Sequence, residues 1–298
     1  MLTTLDRISI GHPITRLGVS FFPVYLAQVA SLIATGRLHG VTITERADAA
    51  VPVVVVNNTT GMWVLVPAGT VVTGGRQNRT LNLSVLVPAH TSLEVPVNCV
   101  EAGRWSGDGV FGLDDMFVSR RVRRIMQRTL VDNLGRGHRG ADQGQIWATV
   151  SEELDRLRVV STTHNFSDVA SALNRDDRRA AAVEELVSKG PLPGQVGVVV
   201  CHGSRVVSAD LFATPDMFAC HWEALVRSAM LEASDRPRTA PSATKVLSFL
   251  RSFAKAKAMI VPGVGAGREH HVDTDRIAGQ ALVLDDVVVH ASMFAVAA

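Results

Sequence analysis

Two short stretches of the chain concentrate side chains able to do chemistry: Gly74-Gly-Arg-Gln-Asn-Arg-Thr80 and Cys99-Val-Glu-Ala-Gly-Arg-Trp105. Arginine forks onto phosphate or carboxylate, glycine lets backbone N–H groups come close, and tryptophan stacks on a flat ring. Together they describe a pocket for an anionic, flat small molecule, with Gly75, Gln77, Asn78, Arg79, Arg104 and Trp105 as its binding side. In that pocket Glu101 serves as general base or accepts a ribose hydroxyl, and Cys99 is the candidate nucleophile. No sequence neighbour activates the Cys99 thiol. The plain structural reading of the same residues is an ion-pair network. Glu101 then pairs with Arg79 or Arg104, Gln77 and Asn78 satisfy loop backbone, and Trp105 packs over the group.

These residues need strands to bring them together. Side chains alternate along a strand, so Cys99 and Glu101 share a face with Val95 and Val97. Gln77 and Arg79 likewise extend the apolar row of Leu81, Leu83 and Val85. A hairpin around Pro88–Thr91 sets Gln77–Arg79 beside Cys99–Glu101. Strands are expected at Leu17–Phe21, Val41–Thr44, Val53–Asn57, Met62–Val66, Thr80–Val87 and Ser92–Val100, with a short helix at Leu26–Ala34. Their short connections make neighbours antiparallel. Helices are expected at Val118–Leu130, Gly144–Leu157, Ser167–Ser188, from Thr214-Pro215-Asp216 onward, and over Ser242–Ala256. A hairpin at Val196–Asp210 and strands at Ala258–Val261, Gln280–Leu284 and Val287–Ala291 complete the second half. The expected class is α+β. An antiparallel β-rich half (residues 1–110), a sandwich or curved sheet, packs on a helical half with a few strands (111–298) in one continuous domain.

The run Thr73-Gly-Gly-Arg-Gln-Asn-Arg-Thr80, with Ser84-Val-Leu-Val-Pro88 and Val95-Pro-Val-Asn-Cys-Val-Glu-Ala-Gly-Arg-Trp105, resembles the signature of the ARG-and-rhodanese-phosphatase-superfamily-associated domain family. The likeness is dense over residues 41–106 and continues through Gln143–Trp147, Gly203–Phe212, Gly263–Arg268 and Val288–Phe294. This family of bacteria and archaea is named for association with ADP-ribosylglycohydrolases and rhodanese-type phosphatases. The resemblance therefore implies an ADP-ribose or phosphoester context. It marks Gln77, Asn78, Arg79, Cys99, Glu101, Arg104 and Trp105 as motif positions. Arg76 departs from the expected lysine, keeping the charge and changing the geometry.

Other candidates read more blandly. Gly263-Val-Gly-Ala-Gly-Arg268 follows a strand as a phosphate loop does, but no helix pattern opens at its third glycine. It reads as a loop whose Arg268 reaches a neighbouring anionic ligand. Cys201-His202, Cys220-His221 and His270-His271 are adjacent pairs, whereas structural zinc sites draw on ligands two to five residues apart. No metal or cofactor is implied. His202 and His290 read as structural groups. Arg120, Arg121, Arg123, Arg124 and Arg128 read as a solvated or ion-paired helix face, with a subunit interface or a polyanion contact as the alternative.

Thirty basic against 28 acidic residues argue against nucleic acid as a partner, and the interleaved aromatics of single-strand binding are missing. No apolar run approaches a membrane span, and the start lacks a secretory pattern, so the expectation is a cytoplasmic protein without a membrane partner. Two functions are expected: binding or processing of an ADP-ribose-like, nucleotide or other phosphorylated molecule, or a non-enzymatic homo-oligomeric assembly protein. The second rests on strands such as Val53–Val56 offering edges to a symmetric partner.

Overall fold

The computed structural model describes residues 7–30, 32, 34–46, 52–234 and 239–296. The chain opens with β1 (Ile8–Ile10), β2 (Ile14–Arg16), β3 (Val19–Leu26) and β4 (Ala34–Thr35). It continues through β5 (Val41–Glu45), β6 (Val53–Asn58), β7 (Trp63–Val66) and β8 (Thr70–Gly74). Next come β9 (Arg79–Leu81), β10 (Val85–Val87), β11 (Thr91–Cys99) and β12 (Val110–Phe117). Helices α1 (Arg120–Leu134), α2 (Gln143–Leu157), α3 (Ala170–Leu173) and α4 (Asp177–Lys189) follow. The hairpin β13 (Gly197–His202) and β14 (Arg205–Phe212) precedes α5 (Pro215–Met230) and α6 (Ala243–Lys255). The chain closes with β15 (Met259–Pro262), β16 (Arg268–Asp273), β17 (Ile277–Leu284) and β18 (Val287–Ala295).

The class is α+β, with mainly antiparallel sheets through the N-terminal half, where β4 pairs parallel with β7, and the helices mostly in the C-terminal half. The first-half sheet curls into a closed barrel, ordered β11-β6-β5-β12-β8-β9. Closure removes edges. Val53–Val56 therefore offers no edge to a partner, since β6 is paired with β5 on one side and β11 on the other. Opposed pairs Val54–Val95, Ile43–Val56, Val97–Leu81 and Arg79–Cys99 point the same way and are buried.

A nine-stranded sheet joins both ends of the chain, ordered β1-β3-β13-β14-β18-β17-β16-β15 with β2 on β3. Its period-2 alternation serves two layers. Phe22, Val199 and Leu211 face Leu250 and Phe253 of α6, whereas Phe21, Val198 and Phe212 face the side of the barrel, α1 and α5.

Several expected elements differ. Leu26–Ala34 is not a helix: Leu26 ends β3 opposite Ile8, Ala27 and Gln28 bend, and Ala34 pairs with Trp63. Sheet pairing on both flanks outweighs the helical spacing there; residues 31 and 33 lie outside the described residues. Thr80–Val87 is two strands, split at Asn82–Ser84, where Ala68 N–H donates to Ser84 Oγ (3.0 Å) and Ser84 N–H to Gln280 Oε1 (3.1 Å). Ser167–Ser188 is a 3-10 turn at Phe166–Val169, α3, and then α4. The break comes at Asp176, whose side chain caps α4 by accepting from Arg178 N–H. Gly263–Arg268, by contrast, is a hairpin loop without a helix, as its sequence reads. Gly263 N–H donates to Gly267 O, and a side chain at Gly265 would strike Leu86 O at 2.2 Å.

Candidate functional site

The motif residues sit at one end of the barrel, where β9 and β11 pair Cys99 with Arg79. They separate into two charge systems. Arg79 points into the barrel, fully buried over the Phe111 ring (5.6 Å). It donates to Glu45 Oε1 (3.0 Å) and to Val53 O (3.3 Å). Cys99 lies beside it; burial pushes its thiol pKa up, against the pull of Arg79, so the thiol stays protonated. Gln143 holds its backbone from outside, donating to Cys99 O (2.8 Å) and accepting from Cys99 N–H (2.9 Å).

Glu101 belongs to the second system, with Arg104 and not Arg79. Arg104 Nη2 donates to Glu101 Oε2 (2.7 Å) and Asn78 Oδ1 (3.1 Å). Its Nη1 donates to Gly75 O (2.7 Å) and Ser106 O. Glu101 also accepts from Asn78 N–H (3.0 Å) and Thr163 Oγ1 (2.9 Å). Burial opposes its ionisation, but these donors prevail and its pKa is lowered. Gln77 donates weakly to Ala102 O (3.4 Å). Gly75 takes a positive φ of 51°, and a Cβ there would meet Phe111 at 2.4 Å. Trp105 is half exposed, with Arg76 over its ring at 5.6 Å. Arg268 starts β16 in the other sheet, apart from this group. Glu101 and Arg104 are thus spent on one another, on the Asn78 N–H and Thr163 hydroxyl that Glu101 accepts from, and on the loop carbonyls that Arg104 donates to.

One polar thread leaves this knot. Asn78 Nδ2 donates to Asn165 Oδ1 (3.1 Å) and Ser167 Oγ (3.4 Å), and Ser167 Oγ donates to Asp114 Oδ2 (2.6 Å). Asp114 lies in β12 where the register against β8 slips between Leu113 and Phe117. Successive residues of a regular strand face opposite sides. The bulge re-aims them, so Asp114 and Asp115 line one cavity. Burial and the adjoining Asp115 carboxylate raise the Asp114 pKa above its ordinary value, although Ser167 works the other way. Asp115 Oδ2 is 3.4 Å from Arg227 Nε.

The cavity, about 610 Å³, lies between this part of β12, the first turns of α5 and the Gly36–His39 segment. Arg37 and His39 line one side, and Asp216, Cys220, His221 and Glu223 come from α5. His221 is buried with no partner for Nε2, and burial holds its pKa down to about 3, so the ring is neutral. Gly36 admits this approach: a Cβ there would stand 2.9 Å from His221 Nε2. Cys220 is free and exposed.

Comparison with known proteins now bears on the whole chain. The ARG and Rhodanese-Phosphatase-superfamily-associated Protein domain matches residues 7–294. The chain belongs to this family. No curated protein and no solved structure matches. The family match spans the barrel, the large sheet and the helices between them, so motif knot, thread and cavity all fall inside the family domain.

Sequence reasoning did not find Asp114, Asp115 or His221 as site residues. The available signal was a pair of acids inside the otherwise apolar strand Val110–Phe117. It also passed over a buried polar chain between barrel and sheet. Ser84 Oγ is 2.7 Å from His290 Nδ1, His290 Nε2 is 3.7 Å from Asp210, and Arg123 forks onto Asp210 (2.5 and 3.1 Å). Ser, His and Asp in this order suggest a hydrolase, yet all three are buried and the His–Asp distance exceeds a hydrogen bond. The chain ties the layers together instead. The helix arginines are paired within the molecule, Arg120 with Glu232, Arg121 with Glu153 and Arg128 with Asp273. Among the described residues no helix is long and apolar enough to cross a membrane, and no group of three His, Cys, Asp or Glu is set to hold a metal ion.

Proposed function

We propose that this family member binds, and transfers protons to and from, a small phosphorylated ribose-like compound in the β12–α5 cavity. The observation that carries this reading is the bulge that turns two successive carboxylates into one cavity, with the Asp114 pKa raised. Two carboxylates facing one ligand divide into acid and base when their surroundings differ. Asp114, half-buried, crowded by Asp115 and with its pKa raised, is the candidate proton donor to a leaving oxygen; Asp115, beside Arg227, accepts one. His221 Nε2 and the acids of α5 offer partners for sugar hydroxyls, while Arg37 and His39 offer positive charge to a phosphate. About 610 Å³ is within the range of small-molecule sites. The family's name, with its rhodanese-phosphatase association, supports a phosphoester context.

In this reading the motif residues Gly75, Gln77, Asn78, Arg79, Cys99, Glu101, Arg104 and Trp105 position the site and do not touch ligand. Asn78 passes the order of the Glu101–Arg104 knot to Ser167 and so to Asp114. The probe is ADP-ribose, titrated calorimetrically into wild type and Asp114→Asn. Binding that weakens about tenfold or more in the variant, with a melting temperature no lower than that of wild type, is the expected result. Equal affinity in both proteins, or no ADP-ribose binding to wild type, rejects it.

A further inference from the structure

A second cavity, of about 300 Å³, opens at the C-terminal end of α5, beyond the Asp216–Ala224 stretch that lines the first. Arg156, Arg158, Arg175 and Arg179 line it against one acid, Asp176. Aliphatic residues make up the rest of the lining, among them Leu157 and Leu231, and no aromatic ring is present to stack a base.

The arginines are poorly matched by negative charge. Arg175 donates to Leu157 O (2.8 Å) and Arg158 O (3.1 Å), the carbonyls that end α2. Arg179 donates to Ala172 O (3.4 Å) and Ala233 O (3.1 Å), and its Nε is buried without a hydrogen-bond partner. Arg156 pairs with Glu153 (2.6 Å), but Glu153 is shared with Arg121 (3.2 Å). Asp176 is engaged in capping α4 through Arg178 N–H (2.9 Å). The C-terminal ends of α2 and α5 add roughly half a negative charge each, which with Asp176 leaves the four guanidinium groups in excess.

We infer that this cavity is a binding site for a compact polyphosphate, of the pyrophosphate class, separate from the β12–α5 cavity. Guanidinium forks match phosphate oxygens two at a time, and several arginines around one small cavity favour two linked phosphates over one. The absence of a ring among the lining residues points to the phosphates themselves and not to a base.

The test is calorimetric titration of sodium pyrophosphate and of orthophosphate at fixed ionic strength. Wild type binds pyrophosphate more tightly than orthophosphate, and Arg179→Gln weakens pyrophosphate about tenfold. Because Arg179 also holds two carbonyls, the exposed Arg158→Gln is the companion variant: it loses about fivefold with its melting temperature unchanged. Arg251→Gln, an exposed arginine on α6, leaves binding as in wild type. The inference fails if wild type does not bind pyrophosphate, if orthophosphate binds equally well, or if Arg251→Gln costs as much as Arg158→Gln. It fails also if Arg37→Gln, which removes the positive charge offered to a phosphate in the first cavity, abolishes the signal.

Discussion

Asp114 and Asp115 are chemically identical and one residue apart, yet their surroundings divide them. Asp114 is half-buried, bonded to Ser167 and crowded by its neighbour; Asp115 is exposed beside Arg227. A carboxyl whose folded pKa is raised adds stability below its unfolded value of about 3.8, and that stability is lost as pH rises through the raised folded value. Asp114→Asn therefore leaves stability equal or higher at pH 7 and removes this pH dependence, as urea midpoints across pH will register. Glu101 behaves oppositely. Its removal strands Arg104 among carbonyls, so Glu101→Gln lowers stability by about 2–4 kcal/mol in chemical denaturation. The shared place of Arg79 and Glu101 at one end of paired strands was legible from strand alternation, although they belong to two separate charge systems. Which arginine meets Glu101 was not legible, since Glu45 captures Arg79 from a strand far away in sequence.

At the scale of elements, the bulge in β12 and the close approach of Gly36 to α5 shape the cavity. Gly36→Ala puts a methyl group within 2.9 Å of His221 Nε2 and 3.1 Å of Met217 O. Forced overpacking of that kind costs about 1–3 kcal/mol, and the same variant weakens ADP-ribose binding by displacing Arg37 and His39. The Arg123–Asp210 pair joins α1 to β14 with both side chains buried. Arg123→Met leaves buried Asp210 without its guanidinium partner, at a cost of about 3–5 kcal/mol in thermal or urea unfolding. Elements with a strong local pattern were legible, such as α5 with its Thr214 cap and Pro215. β16 was not, because Arg268-Glu-His-His-Val-Asp looks too polar for a core strand. Its buried Glu269 and His271 satisfy each other at 3.0 Å, with Arg139 and Gln127 completing the set. Such partners come from helix α1 and the loop after it, beyond the reach of any local window.

Across the whole molecule, a barrel and a nine-stranded sheet enclose buried ionisable groups whose protons follow folding. His221 is held down to about 3, mainly by burial. The unfolded chain takes up that proton near 6.5, so stability falls as pH drops from about 6.5 toward 3. Burial opposes the ionisation of Asp210 and Glu232, but Arg123 and His290 for the first, and His202 and Arg120 for the second, lower both to about 2. Their contribution persists above the ordinary carboxylate range and disappears as pH falls toward 2. His221→Phe flattens the upper part of this acid profile and leaves the lower part. The α+β class was legible from element order; closure of the barrel was not. It depends on β8 and β12 pairing across the turn-rich Ser106–Gly109 segment, and neither strand has a clean alternating pattern.

The most direct measurement is a carbon-13 NMR titration of the aspartate carboxyls, with Asp114 assigned through Asp114→Asn, in the absence and presence of ADP-ribose. Asp114 is predicted to titrate above 3.8, to shift downward in Asp115→Asn, and to change its midpoint when ADP-ribose binds. An Asp114 that titrates at or below that value, indifferent to both Asp115 and ADP-ribose, contradicts a proton-handling site in this cavity.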